Sequence, residues 1–205
     1  MPELKPRKLP RQSRSRASFD AILDGCARIL ERGGYESLTT NRVAEAAGVG
    51  IGTLYDFFPN REAIVVALAE QRLERLAAQV KEGLAEAEGL APYPALDLLI
   101  RRIVRGVAAD RALYRVVLRE AIFVRDSRET RHALESFFEL GRLASQRAGK
   151  RIALSDPPAD AWVIGRALAH TVLEIAWQPR GAPARERLIE ALVRLTHRSL
   201  LGRDP

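Results

Sequence analysis

Between Thr39 and Phe58 the chain runs TTNRVAEAAGVGIGTLYDFF, crowding hydroxyl, amide and phenol groups around three glycines. Thr39, Thr40, Asn41, Thr53 and Tyr55 can donate and accept hydrogen bonds, Arg42 adds a fixed positive charge, and Gly50 and Gly52 let backbone approach another molecule closely. Such groups bind rather than break bonds, and short helices must present them. Thr39 supplies a hydroxyl acceptor for a free N–H in an opening turn, and Val43, Ala44 and Ala47 then recur at helical spacing. Gly48 stands where a helix ends in positive φ. In the segment that follows, Leu54 and Phe58 lie four apart on one side, with Ile51 and Tyr55 four apart on another, so one side anchors and the other stays free. A helix, a Gly turn and a second helix with an exposed face form the helix-turn-helix arrangement, whose second helix enters the DNA major groove.

Composition is consistent with that partner. The chain has 205 residues, 47% of them hydrophobic, which is enough for a small domain joined to a larger one. Its 33 basic and 26 acidic residues leave a net charge of +7. The excess is uneven: up to Ser18 the chain carries Lys5, Arg7, Lys8, Arg11, Arg14 and Arg16 against Glu3 alone. Such an arm points to a polyanion. A single cysteine, Cys26, excludes an internal disulfide and fits a reducing, cytoplasmic setting. No apolar run follows the early charges as a secretory signal requires, and the most apolar helix, 161–177, is interrupted by Arg166, His170 and Glu174.

The periodicity is helical throughout, and an all-α fold is expected. Residues 1–15, spaced by Pro2, Pro6 and Pro10, are expected to be disordered in isolation. Helices are predicted over about 18–32, then the two short ones, then a long helix from the Asn60 N-cap to about Ala87. Further helices are predicted over about 95–109, 110–123, 128–148, 159–178 and 184–201. Cys26 falls in the apolar stripe of the first helix, as a core residue. An enzyme reading finds no support, because His132, His170 and His197 fall on three separate predicted helices without metal spacing. No cofactor is expected.

The order A-x-x-A-G-V from Ala44, G-T-L-Y-x-F-F from Gly52 and P-N-R-E-A from Pro59 resembles the tetracycline-repressor-like (TetR) family of bacterial transcription regulators, densely from Phe19 to Leu68. The resemblance implies an arm over 1–17, a helix-turn-helix domain over 18–60 and a helical regulatory and dimerisation domain over 61–205. It also implies that Thr40 and Tyr55 bind phosphate, while Asn41, Ile51, Gly52 and Thr53 approach base edges beside Gly50. Arg42 would reach a base or a phosphate, Arg61 a phosphate, and Arg14 and Arg16 a phosphate or the minor groove. This sequence departs from the family pattern at three places. Gly50 replaces a common capping Ser, Phe57 replaces a frequent Tyr or His, and Asp56 adds a negative charge that could accept from cytosine or repel phosphate.

For the C-terminal part, the resemblance implies a small-molecule cavity, for which Tyr114, Glu120, Phe123, Phe137, Trp162, His170, Glu174 and Trp177 are the candidate walls and polar groups. It implies equally that the last two helices pair with their copies in a homodimer. The candidate interface residues are Ala161, Ile164, Gly165, Leu168, Val172, Leu188, Leu192 and Leu195. The expected protein is a cytoplasmic, ligand-released repressor acting as a homodimer on a palindromic DNA operator. The competing expectation is a constitutive or architectural DNA-binding protein whose C-terminal half serves dimerisation alone.

Overall fold

Each apolar stripe in the sequence needs a surface to cover it, and in the computed structural model helices cover one another. The structure describes residues 3–125, 127, 128, 130–132, 135, 154–177, 181 and 183–202, and every regular element among them is an α-helix. In order these are α1 (Ser13–Gly33), α2 (Thr40–Ala47), α3 (Ile51–Phe57), α4 (Arg61–Glu86), α5 (Pro92–Ala109), α6 (Arg111–Arg119), α7 (Ile122–Arg125), α8 (Pro157–Trp177) and α9 (Arg185–Leu201). The predicted helix over 128–148 falls largely outside the described residues. The chain forms two compact units, Met1–Glu74 with Ala112–Leu134, and Arg75–Arg111 with Glu135–Pro205.

The first unit is built on α1. Ile22, Leu23, Cys26 and Leu30 form its buried stripe and meet Val43 of α2, Leu54 and Phe57 of α3, Phe58, and Ile64, Val65 and Leu68 of α4. Phe19 stacks on Phe58 at 4.9 Å between ring centroids and meets Phe57 edge-on at 5.6 Å. Burying each such side chain contributes about 1.5–3 kcal/mol. Helix α2 lies close to α1 because Gly25 has no side chain. A Cβ there would stand 3.1 Å from both the Ala47 nitrogen and the Val43 oxygen. The Arg28 guanidinium also donates to the Ala46 carbonyl. Burial pushes the Cys26 thiol up to about 12, so it is a core group, as its place in the stripe predicts.

Two helix boundaries differ from the sequence prediction. Helix α1 begins at Ser13 rather than near Ser18. Its first turns are polar and show no apolar period, but the Ser15 hydroxyl accepts from the Gln12 N–H at 3.3 Å and donates to the Gln12 carbonyl at 2.8 Å. The predicted single helix over 110–123 is instead α6 and α7. The N–H groups of Glu120 and Ala121 both donate to the Val116 carbonyl, and Ala121 is fully buried at the break. No Gly or Pro marks this position; packing makes the break.

In the second unit α5, α8 and α9 pack on one another. Ile100, Val104 and Val107 of α5, Val172, Ile175 and Ala176 of α8, and Ile189, Leu192 and Val193 of α9 are buried. Gly106 admits the Leu76 side chain of α4, which a Cβ would meet at 2.6 Å. Val172 and Leu192, assigned above to a subunit interface, are 3% and 9% exposed within this unit itself. The helical period alone cannot say which of two apolar stripes faces inward. Other residues of that set are open: Ala161 is exposed and Leu195 is 56% exposed, while Ile164, Gly165, Leu168 and Leu188 are half-buried.

Two measurements check the first unit. Gly25→Val should lower stability by about 1–3 kcal/mol, the range for overpacking, read as a lower urea midpoint by circular dichroism. Cys26 should stay unreactive to a thiol reagent in the native protein and react fully once the chain is unfolded; a fast native reaction would remove it from the core.

Candidate nucleic-acid interface

Helix α2 starts because Thr39 accepts from the Arg42 N–H at 3.3 Å, and it stops at Gly48, whose φ of +67° is left-handed. Val49 then donates back to the Ala44 carbonyl at 3.0 Å, which fixes the turn into α3. Leu54 and Phe57 of α3 and the following Phe58 point into the core. Ile51 and Tyr55 are 40% and 39% exposed on the other side. Gly50 and Gly52 are exposed as well, with open space where a Gly52 side chain would stand. Helix α3 therefore presents a face of small and amphipathic groups held by an apolar back.

Two of the residues expected to touch DNA, one on α2 and one on α3, meet directly. Thr40 and Tyr55 share a hydrogen bond of 3.1 Å between their oxygens, joining α2 to α3. Asn41 and Arg42 are exposed on α2, and Thr53 is half-buried on α3. The Arg42 guanidinium donates to the Ser37 carbonyl at 2.8 Å and remains exposed. Arg14 and Arg16 are exposed on the first turns of α1, not on an arm. Phe57, which departs from the family's frequent Tyr or His, is 3% exposed and belongs to the core.

Arg61 also has partners within its own chain. Its Nη1 donates to the Leu38 carbonyl at 2.9 Å, its Nε donates to Glu62 at 3.1 Å, and its guanidinium lies 4.7 Å from the Tyr35 ring centroid. It ties the α1–α2 loop to the start of α4, and its side chain is 37% exposed. Tyr35 completes the cluster by donating to the Glu62 carboxylate at 3.0 Å. Burial, then the bond to Glu62, pushes the Tyr35 phenol up to about 12. Burial would also raise the Glu62 carboxyl, but its own backbone N–H, Arg61 and Tyr35 together hold it below the ordinary value.

Sequence reasoning missed the first residues of the chain as part of this surface. Residues 3–8, expected to be disordered, lie against the end of α3. The Arg7 N–H donates to the Phe57 carbonyl at 2.7 Å, and Lys8 lies 3.6 Å from the Asp56 carboxylate. Only an alternation of Pro and basic residues marks this segment, and that pattern does not reveal a long-range backbone contact.

The candidate effector-binding residues divide between the units. In the first, Tyr114 is half-buried, Glu120 accepts from the Tyr35 N–H at 3.1 Å, and the Phe123 ring lies 5.9 Å from that of Tyr35. Glu120 borders a polar surface hollow of about 650 Å³ with Glu31, Arg32 and Arg115, which is not an apolar cavity. Along α8, Trp162 is 63% exposed with the Arg166 guanidinium 4.9 Å from its ring centroid. His170 is exposed, Glu174 is half-buried, and the Trp177 indole N–H donates to the Arg111 carbonyl at 3.4 Å. Phe137 lies outside the described residues. Among the described residues, no three His, Cys, Asp or Glu side chains group to hold a metal ion, and no helix is long and apolar enough to cross a membrane.

Comparison with known proteins agrees with this geometry. Residues 22–68 match the model of "Bacterial regulatory proteins, tetR family". The chain is 28% identical over 185 residues to the HTH-type transcriptional repressor KstR of Mycolicibacterium smegmatis, covering 89% of this chain and 86% of that protein. Its fold is similar to that of the transcriptional regulator FadR from Bacillus subtilis, solved in complex with stearoyl-CoA. The TM-score is 0.71 at 18% identity, over 89% of this chain and 99% of that one. AibR, solved in complex with isovaleryl coenzyme A and operator DNA, matches at a TM-score of 0.61 and 21% identity, over 87% and 97% of the two chains.

Titration tests the cluster behind this surface. One of the four tyrosines should ionise near 12 in the native protein, and Tyr35→Phe should remove that step. Because folding raises this pKa, the associated stability is full below the ordinary value of 10.0 and is lost as pH climbs through about 12.

Proposed function

From the match of residues 22–68 to the tetR family model and the similarity along most of the chain to the repressor KstR, we propose that this is a DNA-binding regulator of the TetR family that represses by occupying a palindromic operator as a homodimer and leaves it when a small molecule binds. The observation that carries the DNA part is α3, buried along Leu54 and Phe57 and open along Ile51, Gly52 and Tyr55. In this reading Thr40 and Tyr55, already hydrogen-bonded to each other, hold one phosphate. Asn41, Ile51, Gly52 and Thr53 approach base edges, while Arg14, Arg16 and Arg42 supply charge. With two glycines and an isoleucine on the reading face, few side-chain hydrogen bonds reach the bases, so DNA shape carries much of the preference.

Pairing of two copies is supported by Trp162, Val163 and Leu195, which are 63%, 57% and 56% exposed on α8 and α9. Exposed large apolar groups of this kind suit a protein interface. Two copies would set their reading helices roughly 34–36 Å apart, one turn of DNA. Helix α4 contributes residues to both units and is the proposed lever by which an effector alters that spacing. Acyl-CoA thioesters are the effector class to test first, since FadR and AibR were solved with stearoyl-CoA and isovaleryl coenzyme A.

The test begins with selection from random duplexes. An enriched palindrome bound by two copies, and released by an acyl-CoA, is the expected result; tight binding to every sequence would favour an architectural protein. On the enriched duplex, Tyr55→Phe should weaken binding about five-fold for every sequence variant, the size of one lost hydrogen bond. Asn41→Ala should instead flatten the preference at one base position, and a uniform loss across variants would make Asn41 a backbone contact.

A further inference from the structure

Helix α3 has only seven residues, and the chain beyond Phe57 is extended, so its last carbonyls need partners from elsewhere. The first residues of the chain supply them. The Arg7 N–H donates to the Phe57 carbonyl at 2.7 Å, and the Arg7 Nη1 donates to the Tyr55 carbonyl at 3.0 Å. Leu4 packs against the core of the first unit, and the Asn60 side-chain amide donates to the Glu3 carbonyl at 2.9 Å. These contacts lay the segment across the end of the reading helix.

Lys8 comes next in the chain. Its ammonium stands 3.6 Å from the Asp56 carboxylate and 5.2 Å from the Phe57 ring centroid. Asp56 is the only acidic residue of α3 and follows Tyr55 directly. A lone carboxylate on the helix that meets a polyanion would repel it. Paired with an ammonium, its field is largely cancelled.

We propose that residues 3–8 brace the reading helix and that Lys8 is a positioning residue, raising DNA affinity by neutralising Asp56 rather than by binding phosphate itself. This rests on the DNA-binding reading above. It also accounts for an acidic residue on a helix that meets a polyanion: the charge is cancelled from within the chain.

A double-mutant cycle on the duplex enriched from the random pool tests it. Lys8→Ala should weaken binding by about two- to five-fold at moderate ionic strength, the range of exposed charge pairs. In an Asp56→Asn background the same substitution should change affinity by less than about 1.5-fold, because the two residues act as one unit. Lys8→Arg should bind as the natural chain does, and circular dichroism should show the same helix content throughout. An equal loss in both backgrounds would place Lys8 on a phosphate and overturn the proposal, as would no loss in either. If the natural chain enriches no duplex, the DNA-binding reading itself fails; if it binds and the cycle shows no coupling, the Lys8 proposal alone fails.

Discussion

A helix of seven residues has almost no stability of its own in water, because the cost of its first turn is spread over too few hydrogen bonds. Helix α3 therefore exists by virtue of what Leu54, Phe57 and the adjoining Phe58 bury. They are 0%, 3% and 0% exposed against α1 and α4, with Phe19 stacked on Phe58 and edge-on to Phe57. Everything proposed for the outward face depends on that inward one. Thr40 can meet Tyr55 only while α2 and α3 keep their angle, which the left-handed Gly48 sets, and the bare Gly25 holds α2 close on α1. Capping, turn chemistry and core packing agree here, which is the pattern expected where a sequence specifies one local structure.

The same agreement explains which parts of the molecule were legible beforehand. Thr39, Gly48 and Asn60 act within a few residues of themselves, so their types announced the caps they form. The stripe of α1 announced its buried face. What could not be read depends on partners distant in sequence. The sequence does not show that Arg61 is also held by the Leu38 carbonyl and Glu62, nor that residues 3–8 of the basic arm lie on the open end of α3. The break between α6 and α7 is of this kind too, made by the burial of Ala121 and by no local signal.

The second unit shows the limit of periodicity differently. Helix α8 is apolar on most of its circumference, so sequence alone offers two faces with equal claim to the interior. The structure assigns Val172, Ile175 and Ala176 inward and leaves Trp162 and Val163 outward. Trp162, a candidate cavity wall, is 63% exposed, while Val172 and Leu192, candidate interface residues, are buried within the chain. The period identifies a stripe, and only the neighbours of that stripe decide its use.

The open space around Gly52 has an evolutionary consequence. Nothing within 4 Å would obstruct a side chain there, and Ile51 beside it is 40% exposed. A side chain at Gly52 would disturb no internal packing, whereas Leu54 and Phe57 a few residues on tolerate little change. Where Ile51 and Gly52 meet base edges as proposed, the identity of the recognised site could drift while the scaffold is conserved. After gene duplication, such an arrangement lets a copy acquire new targets by a few changes, without first being rebuilt to stay folded.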